Sequence, residues 1–323
     1  MAPVPFETAC GLLREREGFM SESQYIRKRE SRAEHGQSRD LSYPPLPEPL
    51  AVGVYDNHAH LEIADGENPM DYREHLDRAG AVGVLGAVQV GGDLETSRWS
   101  ADVAAREPRL LAAVAIHPNE APNYEAAGTL DAALAEIDEL AARPRVRAIG
   151  ETGLDFFRTD ESGRAAQFRS FEAHIAMAKS HDLAMQIHDR DAHAEVIDTL
   201  LRVGAPERTV FHCFSGDAEM ARLCADHGWY LSFAGTVTFK NAANLREALS
   251  LIPRERILVE TDAPFLTPTP FRGRPNSPYL IPITLRAMAE HLETDVLALA
   301  AHVTANTERV YGSWDDEPVE PPR

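Results

Sequence analysis

The feature that most constrains this chain is a repeated pattern rather than a repeated sequence. Short runs of Val, Ile, Leu and Ala alternate with longer stretches whose apolar residues recur at helical spacing. The apolar runs fall at 52–57, 82–90, 110–116, 146–150, 183–187, 209–212, 229–233 and 257–261. Between them, segments such as 130–142, 163–180, 192–203, 218–227 and 242–251 read as amphipathic helices, and two more, 282–290 and 295–311, follow the last run. Eight strands alternating with helices predict an α/β fold, a (β/α)8 TIM barrel. A doubly wound open sheet would carry Gly-x-Gly-x-x-Gly after its first strand, and that motif is absent here.

The predicted barrel spans 51–313. Residues 1–50 mix both charge signs, carry the basic stretch Tyr25-Ile26-Arg27-Lys28-Arg29 and end in a proline-rich segment at 44–49. They read as a partly disordered extension with room for a short helix at 12–32. The segment 314–323 holds four acidic residues and three prolines and reads as a tail.

With 44% hydrophobic residues in 323, the chain can bury a sizeable core. Its formal charge of −19 excludes duplex binding by bulk positive charge but leaves room for a local basic pocket. Three cysteines, Cys10, Cys213 and Cys224, are too few and too scattered for a disulfide framework, so any metal must be held by His and carboxylate. No apolar run approaches the ~20 residues of a membrane span, and the N-terminus lacks the apolar core of a secretory signal. The expectation is a cytoplasmic protein with no membrane segment and no obligate protein partner.

Function is written in where His, Asp and Glu interrupt the apolar runs. The first run ends in Asp56-Asn57-His58-Ala59-His60, the third in His117-Pro118, and the fourth in Gly150-Glu151-Thr152-Gly153-Leu154-Asp155. The fifth ends in His188-Asp189-Arg190, the sixth in His212-Cys213-Phe214-Ser215-Gly216, and the eighth in Glu260-Thr261-Asp262-Ala263-Pro264. Residues two apart in a strand share a face, so His58 and His60 can grip one ion. In a barrel all these ends converge on one rim, where such folds place their chemistry. A lone His-x-His is often chance, but this recurrence at strand ends points to a metal site with more donors than one tetrahedral ion uses. By contrast His35, His75, His174, His181, His193, His227, His291 and His302 read as packing or solvated residues, and Cys213 as a small buried residue rather than a nucleophile.

These motifs, together with Arg272-Gly273-x-x-Asn276-x-Pro278, resemble the TatD family of metal-dependent hydrolases in order and spacing over roughly residues 52–312. The resemblance implies a distorted, amidohydrolase-like TIM barrel with a two-metal site and deoxyribonuclease activity, commonly 3′-5′ exonucleolytic on single-stranded DNA. It also implies that Glu151 bridges both ions, that His58, His60 and Asp262 complete one and that His188 and His212 complete the other. Asp262 would orient or deprotonate the attacking water, and His117 would be a substrate-side or supporting group. Where the family often has an aromatic pair beginning with Tyr, this chain has Phe156-Phe157.

Mixed His and carboxylate donors suit two divalent ions, Mg2+, Mn2+ or Zn2+. Around the same mouth Arg158, Arg190, Lys240, Arg272 and Arg274 can reach phosphate oxygens, with Arg190 best placed two residues after His188. Phe156, Phe157, Phe239 and Phe271 can stack a base or pack into the core. Glu260 should support a ligand imidazole, and Asp155 belongs to the same outer layer. The substrate stays open between single-stranded DNA and another phosphodiester. A barrel amidohydrolase or lactonase acting on C–N or C–O bonds is the alternative. Many of those bridge their metals with a carboxylated Lys after the fourth strand, where this chain has Glu151 and none of Lys28, Lys179 or Lys240. A non-catalytic metal-stabilised scaffold is a further alternative, against which the open coordination positions at a barrel mouth argue.

Overall fold

In a computed structural model, which describes residues 25–31 and 38–315, the eight apolar runs are eight parallel strands of one sheet. In chain order the strands are β1 (Arg27–Lys28), β2 (Val54–Ala59), β3 (Ile63–Ala64), β4 (Val84–Val90) and β5 (Leu110–Val114), then β6 (Val146–Asp155), β7 (Ala184–Arg190), β8 (Thr209–Phe211), β9 (Tyr230–Phe233) and β10 (Ile257–Val259). The large sheet runs β2-β4-β5-β6-β7-β8-β9-β10. Its two edges meet at the top, where Ala59 bridges Ala263, the His60 amide donates to the Ala263 carbonyl at 2.7 Å and the Asp262 amide donates to the His58 carbonyl at 2.9 Å. The result is a nearly closed (β/α)8 barrel, closed by backbone that carries three of the residues singled out above.

Ten α-helices lie among the described residues: α1 (Tyr72–Ala81), α2 (Leu94–Ala104), α3 (Ala121–Ala126), α4 (Leu130–Ala141), α5 (Glu161–Ser180), α6 (His193–Val203), α7 (Ala218–Asp226), α8 (Ala243–Leu251), α9 (Ile281–His291) and α10 (Val296–Tyr311). Aspartates start five of them. Asp71, Asp93, Asp160, Asp217 and Asp295 each accept from a first-turn amide with the side chain, which satisfies a donor the helix itself leaves open.

Two apolar layers result. The barrel interior is filled by Val88, Val90, Leu111, Ala113, Ala148, Ala184, Val210, Tyr230 and Leu258, and its lower end is sealed by Val310, Tyr311 and Trp314. A larger cluster fills the space between strands and helices, with Phe171, Phe211 and Phe233 fully buried in it.

Three boundaries differ from the sequence expectation. β6 runs to Asp155 rather than ending at 150, because after a register shift between Ile149 and Thr152 it pairs residue by residue with Ile187 to Arg190. Trp314, read as the start of a tail, stacks on Tyr55 at 4.0 Å and donates to the Arg109 carbonyl at 3.1 Å, while the rest of that segment, 316–323, lies outside the described residues. In the N-terminal extension, residues 25–31 and 38–50 lie along the barrel. The Tyr279 hydroxyl donates to the Pro44 carbonyl at 2.6 Å, the Leu50 amide to the Val82 carbonyl at 3.0 Å, and β1 pairs in parallel with β3. Of the helix expected at 12–32, residues 27–28 are strand, while 1–24 and 32–37 fall outside the described residues.

Candidate active site

The site begins with strand geometry. His58 and His60, two apart at the end of β2, point their Nε2 atoms at each other across 3.2 Å. Glu151 enters from β6 between two sets of imidazoles. Its Oε2 lies 3.7 Å from His58 Nε2 and 3.6 Å from His60 Nε2, and its Oε1 lies 2.6 Å from His188 Nδ1 and 2.8 Å from His212 Nε2. Asp262, from the loop after β10, brings Oδ1 to 3.6 Å of His60 Nε2 and 3.9 Å of His58 Nε2. The six expected ligands therefore converge, with one carboxylate facing both sets.

Local sequence explains the placement of Glu151. A Cβ at Gly150 would come within 2.6 Å of the Gln186 Cβ, and one at Gly153, whose φ is +140°, would meet the His188 carbonyl oxygen at 2.0 Å. Glycine at these two points lets β6 lie close against β7, which carries His188.

Hydrogen bonds fix the tautomers. His60 Nδ1 is 2.9 Å from the Val90 carbonyl, which can only accept, so Nδ1 carries the proton and Nε2 presents a lone pair. His212 is set the same way by Glu260, whose Oε1 lies 3.2 Å from Nδ1 and also takes the Cys213 amide at 2.7 Å. These arrangements, a ligand nitrogen bared by a carbonyl or carboxylate behind the ring, are what a metal-binding imidazole needs. The lone pair of His60 Nε2, and that of His212 Nε2 once the proton it shares with Glu151 at 2.8 Å leaves, aim into one space beside two carboxylates and fit divalent cations.

His117 differs. Its Nδ1 accepts from the Asn119 amide at 3.0 Å, so its Nε2 carries the proton and faces Glu151 Oε1 at 3.3 Å as a donor. Although His117, Glu151 and His188 lie within ligating reach of one another, that tautomer makes His117 a hydrogen-bonding group rather than a ligand. Asp155 stands behind His188, with Oδ2 3.2 Å from Nε2 and 2.9 Å from the Asn119 amide nitrogen.

Burial sets the electrostatics. It holds His60 neutral, down to about 3, with the neighbouring His58 acting in the same direction, and it lowers His58, helped by His212. Burial opposes charge on His212 and His188 too, but Glu151 with Glu260 raises His212 well above its ordinary value, and Asp155 with Glu151 raises His188. Glu151, despite its burial, is held well below the usual carboxylate range by His117, His212 and His188. Asp262 is pushed well up by burial and by repulsion from Glu151 and Glu260. The site is thus a set of buried donors balanced by protons that a cation can replace.

The expected phosphate-side residues divide. The Arg190 guanidinium lies 3.9 Å over the ring of Phe157, a phenylalanine that is 57% exposed at the mouth. Arg272 covers Phe239 at 4.3 Å, Lys240 is exposed, and the Arg158 amide donates to Asp155 Oδ1 at 2.8 Å. Arg274 is not a mouth cation, because its guanidinium is tied to the Ser42 and Tyr43 carbonyls at 2.9 and 2.8 Å. Phe156 packs against Phe168 in the core, leaving Phe157 as the aromatic open to solvent. Cys213 follows β8 rather than lying in it, at φ +41°, and burial pushes its thiol well up, which agrees with an inert residue.

The sequence reading gave Asp56 no role, yet it sits at the seam of the barrel. Its Oδ1 accepts the Thr261 amide at 2.9 Å and the His58 amide at 3.2 Å, and its Oδ2 takes the Thr261 hydroxyl. Gln186 likewise spans the interior, donating to the Asn57 carbonyl at 2.7 Å and to Tyr311 at 2.8 Å.

Residues 55–312 match the family model described as TatD related DNase. The chain belongs to this family. It is 44% identical over 263 residues to a protein of Mycobacterium tuberculosis described as an uncharacterized metal-dependent hydrolase TatD, covering 80% of this chain and 98% of that one. A protein of Escherichia fergusonii named as a 3′-5′ ssDNA/RNA exonuclease TatD is 35% identical over 259 residues, covering 78% of this chain and 97% of its own length. Among solved structures, a TatD homologue from Escherichia coli K12 superposes with a TM-score of 0.71 at 26% identity, over 80% of this chain and 98% of that one. The protein is thus a hydrolase of the TatD family. Among its described residues no helix is long and apolar enough to cross a membrane.

Proposed function

We propose that this TatD-family hydrolase is a metal-dependent phosphodiesterase of nucleic acids, acting as a 3′-5′ exonuclease on single-stranded DNA with two divalent cations. The observation that carries the reading is the position of Glu151, one oxygen toward His58 and His60 and the other toward His188 and His212. A carboxylate so placed suits a pair of ions about 3.5–4 Å apart. His58, His60 and Asp262 would hold one of them, and His188 and His212 the other. Bound Mg2+, Mn2+ or Zn2+ supplies charge neutralisation at the phosphoryl oxygen and a water of lowered pKa.

The remaining work falls to the chain. Asp262 orients the attacking water and takes its proton. Glu260 and Asp155 keep the His212 and His188 rings in place. His117 donates from Nε2 to Glu151 and so supports that carboxylate from the substrate side of the mouth. Arg190, Arg158, Arg272 and Lys240 bind phosphate oxygens, so an anionic strand is attracted locally by a chain whose formal charge is −19. Phe157, exposed beneath Arg190, offers a face on which an unpaired base stacks. The exonuclease name of the Escherichia fergusonii relative supports the substrate class.

The deciding experiment digests 3′-labelled and 5′-labelled single-stranded oligonucleotides with metal-stripped protein re-supplied with Mg2+, Mn2+ or Zn2+. Stepwise loss from the 3′ end, restored by metal and abolished in Glu151→Gln, is the expected result. Failure to cleave with every metal, with turnover of a lactone or amide instead, would overturn the substrate assignment.

A further inference from the structure

The basic stretch Arg27-Lys28-Arg29 has no part in the site described so far, and the family match begins only at residue 55. The chain nevertheless carries this stretch to the mouth of the barrel. Residues 38–50 follow the outer wall, held by Arg274 on the Ser42 and Tyr43 carbonyls and by Tyr43, whose hydroxyl donates to the Asp65 carbonyl at 3.0 Å. At the rim, β1 adds in parallel to β3, which follows the ligand-bearing end of β2 by four residues. The Ile26 amide donates to the Glu62 carbonyl at 3.0 Å and the Arg29 amide to the Ala64 carbonyl at 2.9 Å.

Side chains then point across the rim. Arg29 lies with its guanidinium carbon 4.8 Å over the Phe265 ring, and Phe265 meets the His60 ring edge-on at 6.3 Å. Its Nη1 bonds Asp65, at 3.2 Å, and the Pro264 carbonyl, two residues from Asp262. Its Nε and Nη2 make no hydrogen bond among the described residues, so two donors of the fork remain for a ligand. Asp65 is shared with Arg39, whose Nη2 lies at 2.6 Å, so two guanidiniums face one carboxylate and the cluster is net positive. Lys28 is exposed and, as the residue between Arg27 and Arg29 in the strand, projects from the opposite face, while Arg27 pairs with Asp93 on the loop after β4.

We propose that Arg29 forms a phosphate subsite at the barrel mouth, gripping the nucleic-acid strand beyond the diester that reacts. The inference rests on the phosphodiesterase reading and adds to it a specificity element from outside the family match. A cation held by strand pairing over the rim costs a flexible strand less to engage than a free lysine tail, because its position is already set. A polymeric substrate reaches it. A small diester confined to the ions does not.

The test uses the full-length, Mg2+-loaded protein and a fluorescent phosphorothioate oligothymidylate that resists cleavage with this ion, with affinity measured across a salt series for wild type, Arg29→Gln, Arg29→Lys and, as the outward-facing control, Lys28→Gln. Arg29→Gln should lower the slope of log affinity on log salt by about 0.7 and bind roughly tenfold more weakly at low salt, while Lys28→Gln should keep the wild-type slope. Arg29→Lys should recover most of the slope. Hydrolysis of bis(p-nitrophenyl) phosphate, measured alongside, should fall far less than oligonucleotide affinity. Unchanged affinity and slope in Arg29→Gln, or an equal loss in Lys28→Gln, would overturn the proposal. Equal losses on the oligonucleotide and the small diester would also overturn it, showing that Arg29 only holds the Pro264 loop. Arg29→Lys guards against misfolding, since it keeps a cation against Asp65 at the same strand position. If wild type binds the oligothymidylate but cleaves no nucleic acid, the exonuclease reading fails while the slopes still decide the subsite. If wild type hydrolyses the small diester but does not bind the oligothymidylate, the subsite fails and the phosphodiesterase reading stands.

Discussion

Glu260 shows how much of this site depends on residues that touch no substrate. It is fully buried, and it holds His212 Nδ1 at 3.2 Å and the Cys213 amide at 2.7 Å with the same oxygen. Replacing it by Gln keeps the volume but removes the charge that fixes the His212 tautomer and raises its basicity. Losses of supporting carboxylates of this kind are typically 10- to 100-fold. Glu260→Gln should therefore bind Mn2+ about 10- to 100-fold more weakly by titration calorimetry, with activity falling in parallel; wild-type affinity in the variant would show that Glu260 does not hold the ring. The candidate ligands were legible in sequence because a strand end maps directly onto a barrel mouth: two histidines two apart, then single acids and histidines after later strands. Asp56, Gln186 and Asn57 were not, since their partners across the barrel lie 125 to 250 positions away and a single sequence shows no such contacts. The tautomer of His117 was equally hidden, being set by one backbone amide.

At the scale of elements, the apolar runs announced all eight barrel strands, since a strand buried on both faces reads as a continuous apolar segment. What periodicity did not show was the polar second half of β6, which extends because β7 is there to pair with it. Nor did it show the docked N-terminal arm, whose backbone bonds to β3 depend on no apolar pattern. The weakest seam is between β2 and β10, joined above the strands by a single bridge at Ala59 and Ala263. Asp56 reinforces it by accepting both the Thr261 and His58 amides, and burial pushes its carboxyl up to about 7. Asp56→Ala would leave two buried amides without acceptors. At about 1–3 kcal/mol for each such group, the metal-stripped variant should lose roughly 3 kcal/mol of stability, read from the shift of its urea midpoint at unchanged m. A loss below about 1 kcal/mol would mean the backbone bonds alone close the barrel.

Taken as a whole, the molecule surrounds a dense set of carboxylates, Glu151, Asp262, Glu260 and Asp155, with two histidines, His212 and His188, whose protons those acids favour when no metal is bound. His212 and His188 are raised above their ordinary value by those acids. Raised histidines contribute stability that is present below the unfolded pKa of about 6.5 and is lost as pH climbs through the folded value. Metal-stripped protein should accordingly lose stability as pH rises above about 6.5, because the protons that balance Glu151 leave. Bound cations take over that role and require the imidazoles neutral, so metal affinity should climb over the same range. At a free metal concentration a hundredfold above Kd, each site adds about 2.7 kcal/mol, which for a chain of this size is a Tm increase of about 5 °C. The expected outcome is a Tm gap between Mn2+-loaded and stripped protein that widens as pH increases from below 6.5 to above it, and that collapses in Glu151→Gln. A gap independent of pH would mean that protons and metal do not compete for these imidazoles. A gap that survives in Glu151→Gln would mean that the stabilising ion binds somewhere other than the barrel mouth.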